Sequence, residues 1–153
     1  MEIALIEPEI PGNTGSIGRL CVGTATRLHL VGKLGFSISD KMVKRAGLDY
    51  WKDIDLHVHP DVDTWFEAMG GRRLHLYSAR GPRNYAELAY GPDDVLVFGC
   101  ETRGFPQRIR TRFHDALVRI PTNPMIRSLN LANAASVVLY EALRQQDFLG
   151  LDR

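Results

Sequence analysis

Three short stretches hold most of the residues able to do chemistry. Gly12-Asn13-Thr14-Gly15-Ser16-Ile17-Gly18-Arg19 follows the first apolar run and opens a helix-like segment. In an open α/β sheet that is where a helix N-terminus offers amides to a phosphate. The glycines, however, are spaced Gly-x-x-Gly-x-x-Gly rather than Gly-x-Gly-x-x-Gly, and Lys33 stands where a dinucleotide fold carries an acid. A nicotinamide-dependent oxidoreductase is therefore disfavoured. Gly15 and Gly18 also suit close helix-sheet packing, which leaves Arg19, one turn into the helix, in need of a partner. In the second stretch, Phe98-Gly99-Cys100-Glu101-Thr102-Arg103-Gly104, a buried strand ends in glycines that let backbone approach a ligand. The alternative there is a tight turn with a surface Glu-Arg pair of little worth. The third, Ile120-Pro121-Thr122-Asn123-Pro124-Met125-Ile126-Arg127-Ser128-Leu129-Asn130, reads as strand, loop and helix entry. Ser128 or Asn130 can cap that helix. The Met125-Ile126 pair could wall a flat ring such as adenine.

Metal and thiol chemistry have weaker claims. His57-x-His59 could offer two ligands from one strand face, but no third is evident nearby, so no metal site is expected. Cys21 and Cys100 are the two cysteines and form no Cys-x-x-Cys, as in a protein with reduced thiols. Neither Asp nor His stands in the three stretches as an obvious general base.

The elements that must position these residues are short. Strands are expected at Ile3–Ile6, Leu28–Val31, Ile54–Val58, Leu74–Tyr77, Val95–Phe98 and Leu117–Ile120. Helices are expected from Asn13 or Thr14, as cap, to about Ala25, over Ser39–Ala46 and Val62–Met69, at Tyr85–Leu88 as a weak turn, after Pro106, and over Leu129–Gln146. The alternation implies an α/β fold, a Rossmann-like and mostly parallel sheet. Ligands in such sheets sit beyond the carboxyl ends of the strands, here the loops after Ile6, Tyr77, Phe98 and Ile120. The last helix carries Ala132, Ala134, Ala135 and Ser136 with Val138, Leu139, Ala142 and Leu143, a surface that fits core packing or a dimer interface equally well.

The 153 residues suit a single domain, 1–153, and 44% apolar with 24% charged residues is ordinary globular composition. No apolar run approaches the ~20 residues of a membrane span, and Met1-Glu2-Ile3-Ala4 lacks the basic start of a signal peptide. A cytoplasmic location is expected. The net charge of +1 does not exclude RNA, because binding needs a local basic surface. Such runs exist at Lys41, Lys44 and Arg45; at Arg72 and Arg73; at Arg80 and Arg83; and at Arg103, Arg108, Arg110 and Arg112. Each by itself also fits a solvated face.

Taken together and in order, these stretches resemble the SPOUT superfamily of RNA methyltransferases, and most closely its small TrmL-type tRNA wobble-ribose 2'-O-methyltransferases. The residues that carry the resemblance are Glu7-Pro8-Glu9-Ile10-Pro11 with Asn13-Thr14-Gly15 and Arg19, Arg45-Ala46-Gly47-Leu48-Asp49-Tyr50, Phe98 to Gly104, Ile120-Pro121 and Arg127-Ser128-Leu129-Asn130-Leu131. Cys100 stands where the family often has proline. The resemblance implies a C-terminal trefoil knot, a homodimer and S-adenosylmethionine as cofactor, bound by Tyr77, Gly99, Ile120, Ser128 and Leu129. It implies methylation of the ribose of the wobble cytidine or uridine in the anticodon loop of a leucine-type tRNA. Arg19, Asn13, Asn130 and Tyr140 are the catalytic residues it points to, with Glu101 orienting Arg103 or the methionine ammonium. RNA contacts are expected from Lys41, Lys44, Arg45 and Arg103. The rival readings are a 2'-O-methyltransferase for another tRNA or rRNA site and a non-catalytic RNA-binding module.

Overall fold

The computed structural model describes residues 1–38, 50–148 and 150–152. Its elements, in chain order, are β1 (Glu2–Ile6), α1 (Pro11–Gly23), β2 (Arg27–Val31), a 3-10 turn at Trp51–Asp53, β3 (Leu56–His59), α2 (Val62–Ala68), β4 (Leu74–Tyr77) and β5 (Arg83–Asn84). After a second 3-10 turn at Tyr85–Glu87 come β6 (Val95–Phe98), α3 (Gln107–Arg112), β7 (Leu117–Arg119) and α4 (Leu131–Gln145). The seven strands form one sheet in the order β3-β2-β1-β6-β4-β7-β5, with every adjacent pair parallel. The helix expected at Ser39–Ala46 lies outside the described residues.

Parallel strands are covered on both faces, so they read as continuous apolar runs. Ile3, Leu5, Leu28, Leu30, Leu96 and Phe98 face one way and pack with Ile17 and Cys21 of α1 and Ala135, Val138 and Leu139 of α4. Ala4, Ile6, Val31, Leu76 and Val97 face the other way and pack with Trp65 and Phe66 of α2 and Ile109 of α3. The result is a three-layer arrangement around β1 and β6. Truncating a fully buried side chain such as Leu96 costs about 3 kcal/mol, so the strand ends are firm anchors for the loops beyond them.

The helix entries differ in detail from expectation. α1 starts at Pro11, which needs no N–H partner in the first turn, with Ile10 as N-cap. Asn13 and Thr14 are inside the helix rather than capping it, which frees the Asn13 amide for long-range contacts. Asp61 caps α2 by accepting the Thr64 N–H at 2.7 Å. Asn130, not Ser128, caps α4, its Oδ1 accepting the N–H groups of Ala132 (2.9 Å) and Asn133 (3.2 Å). On α4, Ala135, Val138, Leu139 and Ala142 are wholly buried within the chain, so that face packs on its own sheet and is not available to a second copy. The exposed apolar side chains of α4 are Val137 and Tyr140. The third strand is displaced by up to two residues from the expected Ile54–Val58. Gly18 is pressed against the Ile54 side chain rather than the sheet, where an added Cβ would lie 2.6 Å from its Cδ1.

Candidate active site

The loops that follow β1, β4, β6 and β7 surround a cavity of about 610 Å³. This is the carboxyl edge of the sheet, where the loop rule places ligands. Tyr77, Gly99, Ile120, Ser128 and Leu129 all line it, together with Asn13, Asn130 and Arg103. Its apolar walls are Ile120, Leu129, Leu131 and Ala134. Met125 and Ile126 do not reach it; Met125 is 90% exposed. The apolar pair expected to wall an aromatic ligand therefore faces outward, and the residues flanking the loop do that work instead.

A chain of hydrogen bonds ties three of the loops together. The Glu101 carboxylate accepts the backbone N–H groups of Glu9 (2.8 Å) and Ile10 (3.2 Å) and the Asn13 side-chain amide (3.1 Å). Because Ile10 is the N-cap of α1, Glu101 supplies from the other half of the chain the anion that a helix N-terminus favours. Asn13 Oδ1 in turn accepts from Asn130 Nδ2 at 2.9 Å, and Asn130 Oδ1 caps α4. Glu101 thus orients α1 and Asn13. It does not orient Arg103, whose guanidinium pairs with Glu9 at 2.9 Å.

Glu9, which the sequence offered only as part of the family pattern, braces the loop beside the cavity. Its carboxylate accepts from the Thr102 hydroxyl at 2.6 Å and from Arg103. The Thr102 bond first, then Cys100 and Arg103, hold it below the usual carboxylate range. An added Cβ at Gly99 would sit 2.6 Å from the backbone of Gly104 and Phe105, so the loop from Gly99 folds back on itself with no room for a side chain. Gly104 closes that turn at φ +68°, and its N–H donates to the Cys100 carbonyl at 2.8 Å.

Tyr77 contributes a flat, neutral surface. Its ring stacks on Phe98 at 4.9 Å, and its hydroxyl shares a 2.8 Å hydrogen bond with the Tyr90 hydroxyl. Burial, then Tyr90, pushes the Tyr77 phenol far above its ordinary value, so it serves as a hydrogen-bonding group and not as a base. The buried Cys21 thiol, pushed up to about 12 by burial, is inert packing.

Arg19 and Tyr140 stand apart from the cavity. Arg19 is exposed on α1, its guanidinium 5.2 Å from the centre of the Tyr50 ring, which supplies the partner it needed. Tyr140 is 49% exposed on α4. Neither lines the cavity. Lys41, Lys44 and Arg45 lie outside the described residues. His57 and His59 turn to separate partners, His57 to Asp55 and His59 to the buried His29 (2.8 and 2.9 Å). Among the described residues no group of three or more His, Cys, Asp or Glu side chains is arranged to hold a metal ion. Arg80 and Arg110 also line the cavity; Arg80 was within reach of sequence reasoning, because it sits in the loop after β4.

An all-parallel sheet whose carboxyl edge carries one loop-walled cavity defines the class, and comparison with known proteins defines the family. The chain belongs to the SpoU rRNA Methylase family, whose model matches residues 1–140. A protein of Methylovorus glucosotrophus named tRNA (cytidine(34)-2'-O)-methyltransferase is 50% identical over 150 residues, covering 97% of each chain. One of the same name from Saccharophagus degradans is 46% identical over 149 residues, again covering 97% of each. A solved structure concerned with the 2-OH methylation of C/U34 on tRNA superposes with a TM-score of 0.90 at 41% identity, covering 95% of both chains. The SpoU methyltransferase AviRb of Streptomyces viridochromogenes, solved with AdoMet, superposes at 0.82 with 28% identity, covering 96% of this chain and 58% of that one.

Proposed function

We propose that the chain is a single-domain RNA methyltransferase that carries a methyl group from S-adenosylmethionine to the 2'-hydroxyl of the wobble cytidine or uridine of a tRNA. The observation that carries this reading is the convergence of three separate stretches on one cavity, tied by the Glu101-Asn13-Asn130 bonds. The names of the relatives above give the substrate. The cavity suits the cofactor's chemistry: apolar walls at Ile120, Leu129 and Leu131 for an adenine, and a polar rim of backbone and side-chain donors for an amino-acid end.

When bound, S-adenosylmethionine supplies an electrophilic methyl group. The chain's own residues have to place the ribose in line with it and help its proton leave. Asn13 and Asn130 set the distance between α1 and the third loop, and Glu101 holds the α1 entry. Arg19 holds a backbone phosphate or polarises the hydroxyl through its guanidinium donors. Tyr140 shapes the acceptor side. Lys41, Lys44, Arg45 and Arg103 would bear on the RNA backbone.

The same reading includes a trefoil knot through the C-terminal loops, a leucine-type tRNA, a cytoplasmic setting and a homodimer. The chain after β4 passes close along β7, where an added Cβ at Gly81 would lie 2.5 Å from the Val118 carbonyl carbon, as the pairing of β5 with β7 requires. The dimer is supported by the exposed apolar side chains Val137 and Tyr140 on α4.

Nucleoside mass spectrometry of tRNA incubated with the protein and the cofactor tests the function. A 2'-O-methylated pyrimidine at the wobble position is expected. A methyl group on a base, or at a different ribose, would replace the assignment with another site.

A further inference from the structure

The charge of the cavity exceeds what the cofactor needs. Its lining contains four arginines (Arg80, Arg103, Arg110 and Arg127) against one acid, Glu101. Glu101 is engaged with the backbone of α1 and Asn13, and Arg103 is matched by Glu9. Three guanidiniums therefore remain, and among the described residues no carboxylate pairs with any of them. Arg127 donates to the Thr102 carbonyl at 3.3 Å, and Arg80 is exposed on the loop after β4. Arg110 is the telling one. It is half-buried at the end of α3, its Nη2 donates to Gln107 Oε1 at 2.6 Å, and its enclosed Nε has no hydrogen-bond partner. A cation with a desolvated nitrogen and no anionic partner is costly to hold, and an anion beside its other nitrogens offsets that cost. S-adenosylmethionine carries one carboxylate against an ammonium and a sulfonium, so it adds positive charge to an already positive cavity.

On the reading that the substrate is RNA, we infer that Arg80 and Arg110 form a seat for a backbone phosphate of that RNA, inside the cofactor cavity. The planar guanidinium fork matches phosphate oxygens, and Arg110, half-buried and without a carboxylate, gains the most from an anion beside it. The phosphate balances the excess positive charge and sets the acceptor ribose beside the methyl donor. Both arginines are binding residues; neither takes part in the displacement.

The test uses the full-length protein with Arg80→Gln, Arg110→Gln and Arg110→Lys, a tRNA transcript and S-adenosylhomocysteine. Calorimetry reads cofactor affinity, anisotropy reads RNA affinity against salt, and methyl incorporation reads KM and kcat. The expected result for either Gln variant is a cofactor Kd within about twofold of wild type and an RNA KM raised about tenfold, more than kcat falls. The slope of log affinity against log salt should shrink by about 0.7 per arginine removed from a single-stranded contact. Arg110→Lys should keep most of the slope and lose part of the affinity. Arg80, exposed on its loop, keeps the test valid if Arg110→Gln folds poorly. A cofactor Kd weakened tenfold with an unchanged salt slope would assign the arginines to the cofactor's carboxylate and overturn the seat, and unchanged KM and slope would overturn it too. Wild-type protein that binds RNA but transfers no methyl group would refute the enzymatic reading, while the slopes would still decide the phosphate seat.

Discussion

The side-chain amides of Asn13 and Asn130, 117 positions apart in the chain, meet at 2.9 Å and connect the first helix to the cap of the last. With Glu101 at 3.1 Å from the other end of Asn13, one asparagine joins the loops that follow β1, β6 and β7.

Asn13→Ala should loosen that junction. It leaves Glu101 and Asn130 each short of a partner, at a cost of about 1–2 kcal/mol in stability. Because misplacing a reacting group by about 1 Å can cost about a hundredfold in rate, methyl transfer should fall far more than stability. Asn13→Asp should melt lower than Asn13→Ala at neutral pH, since it faces a second carboxylate at Glu101. Thermal melts and single-turnover rates of the two variants check this, and near wild-type turnover in Asn13→Ala would remove the junction from the mechanism.

Arg19→Ala should lose methylation yet keep cofactor binding and fold. The side chain lies outside the cavity, and its contact with Tyr50 is an exposed cation-π pair worth about 0.5–1 kcal/mol. Calorimetry with S-adenosylhomocysteine beside an activity assay separates the two effects; lost cofactor affinity would mean that Arg19 serves the cavity and not the RNA.

Much of this fold was legible in residue order. Val95–Phe98 and Ile3–Ile6 announce buried parallel strands because four apolar residues in a row leave no polar face, and the loops beyond them hold the cavity. The two-residue strand Arg83–Asn84 was not legible, since its polar side chains carry no alternation and its pairing with β7 is a tertiary event. The Asn13-Asn130 bond could not be read either: each residue looks locally like a helix cap, and only the folded chain shows that Asn13 sits inside α1. Local periodicity left the small-residue face of α4 open between core packing and an interface, because apolar spacing marks a buried face without saying what buries it. Ala135 is covered by its own sheet.

The proposed dimer should depend on the exposed face of α4. Val137→Glu with Tyr140→Glu should give monomers in light scattering at micromolar concentration, whereas Ala135→Glu should unfold the chain. A wild-type protein that scatters as a monomer would remove the dimer from the account.

Stability should fall in mild acid before the carboxylates titrate. Burial is the first cause holding His29, His59 and His75 below the ordinary histidine value. Other groups act on them: Glu2 opposes the shift at His29 while His57 and His59 add to it, His57 adds to it at His59, and at His75 Asp94 opposes it while Arg73 and Arg83 add to it. The unfolded chain takes these protons near pH ~6.5, the folded chain only lower. The stability is thus fully present above about 6.5 and is lost as pH drops through the folded values. The melting temperature should be lower at pH 5.5 than at 7.5, with a shallower dependence in His75→Asn. Equal melting temperatures at the two pH values would contradict the burial argument.

The central claim is transfer of a methyl group to one ribose hydroxyl. The most direct measurement compares two tRNAs that differ in one atom, a wobble nucleotide with its 2'-hydroxyl and the same nucleotide as 2'-deoxy, with labelled S-adenosylmethionine and the wild-type protein. The account predicts incorporation into the first and none above background into the second. Equal incorporation into both would contradict it and place the target elsewhere on the RNA.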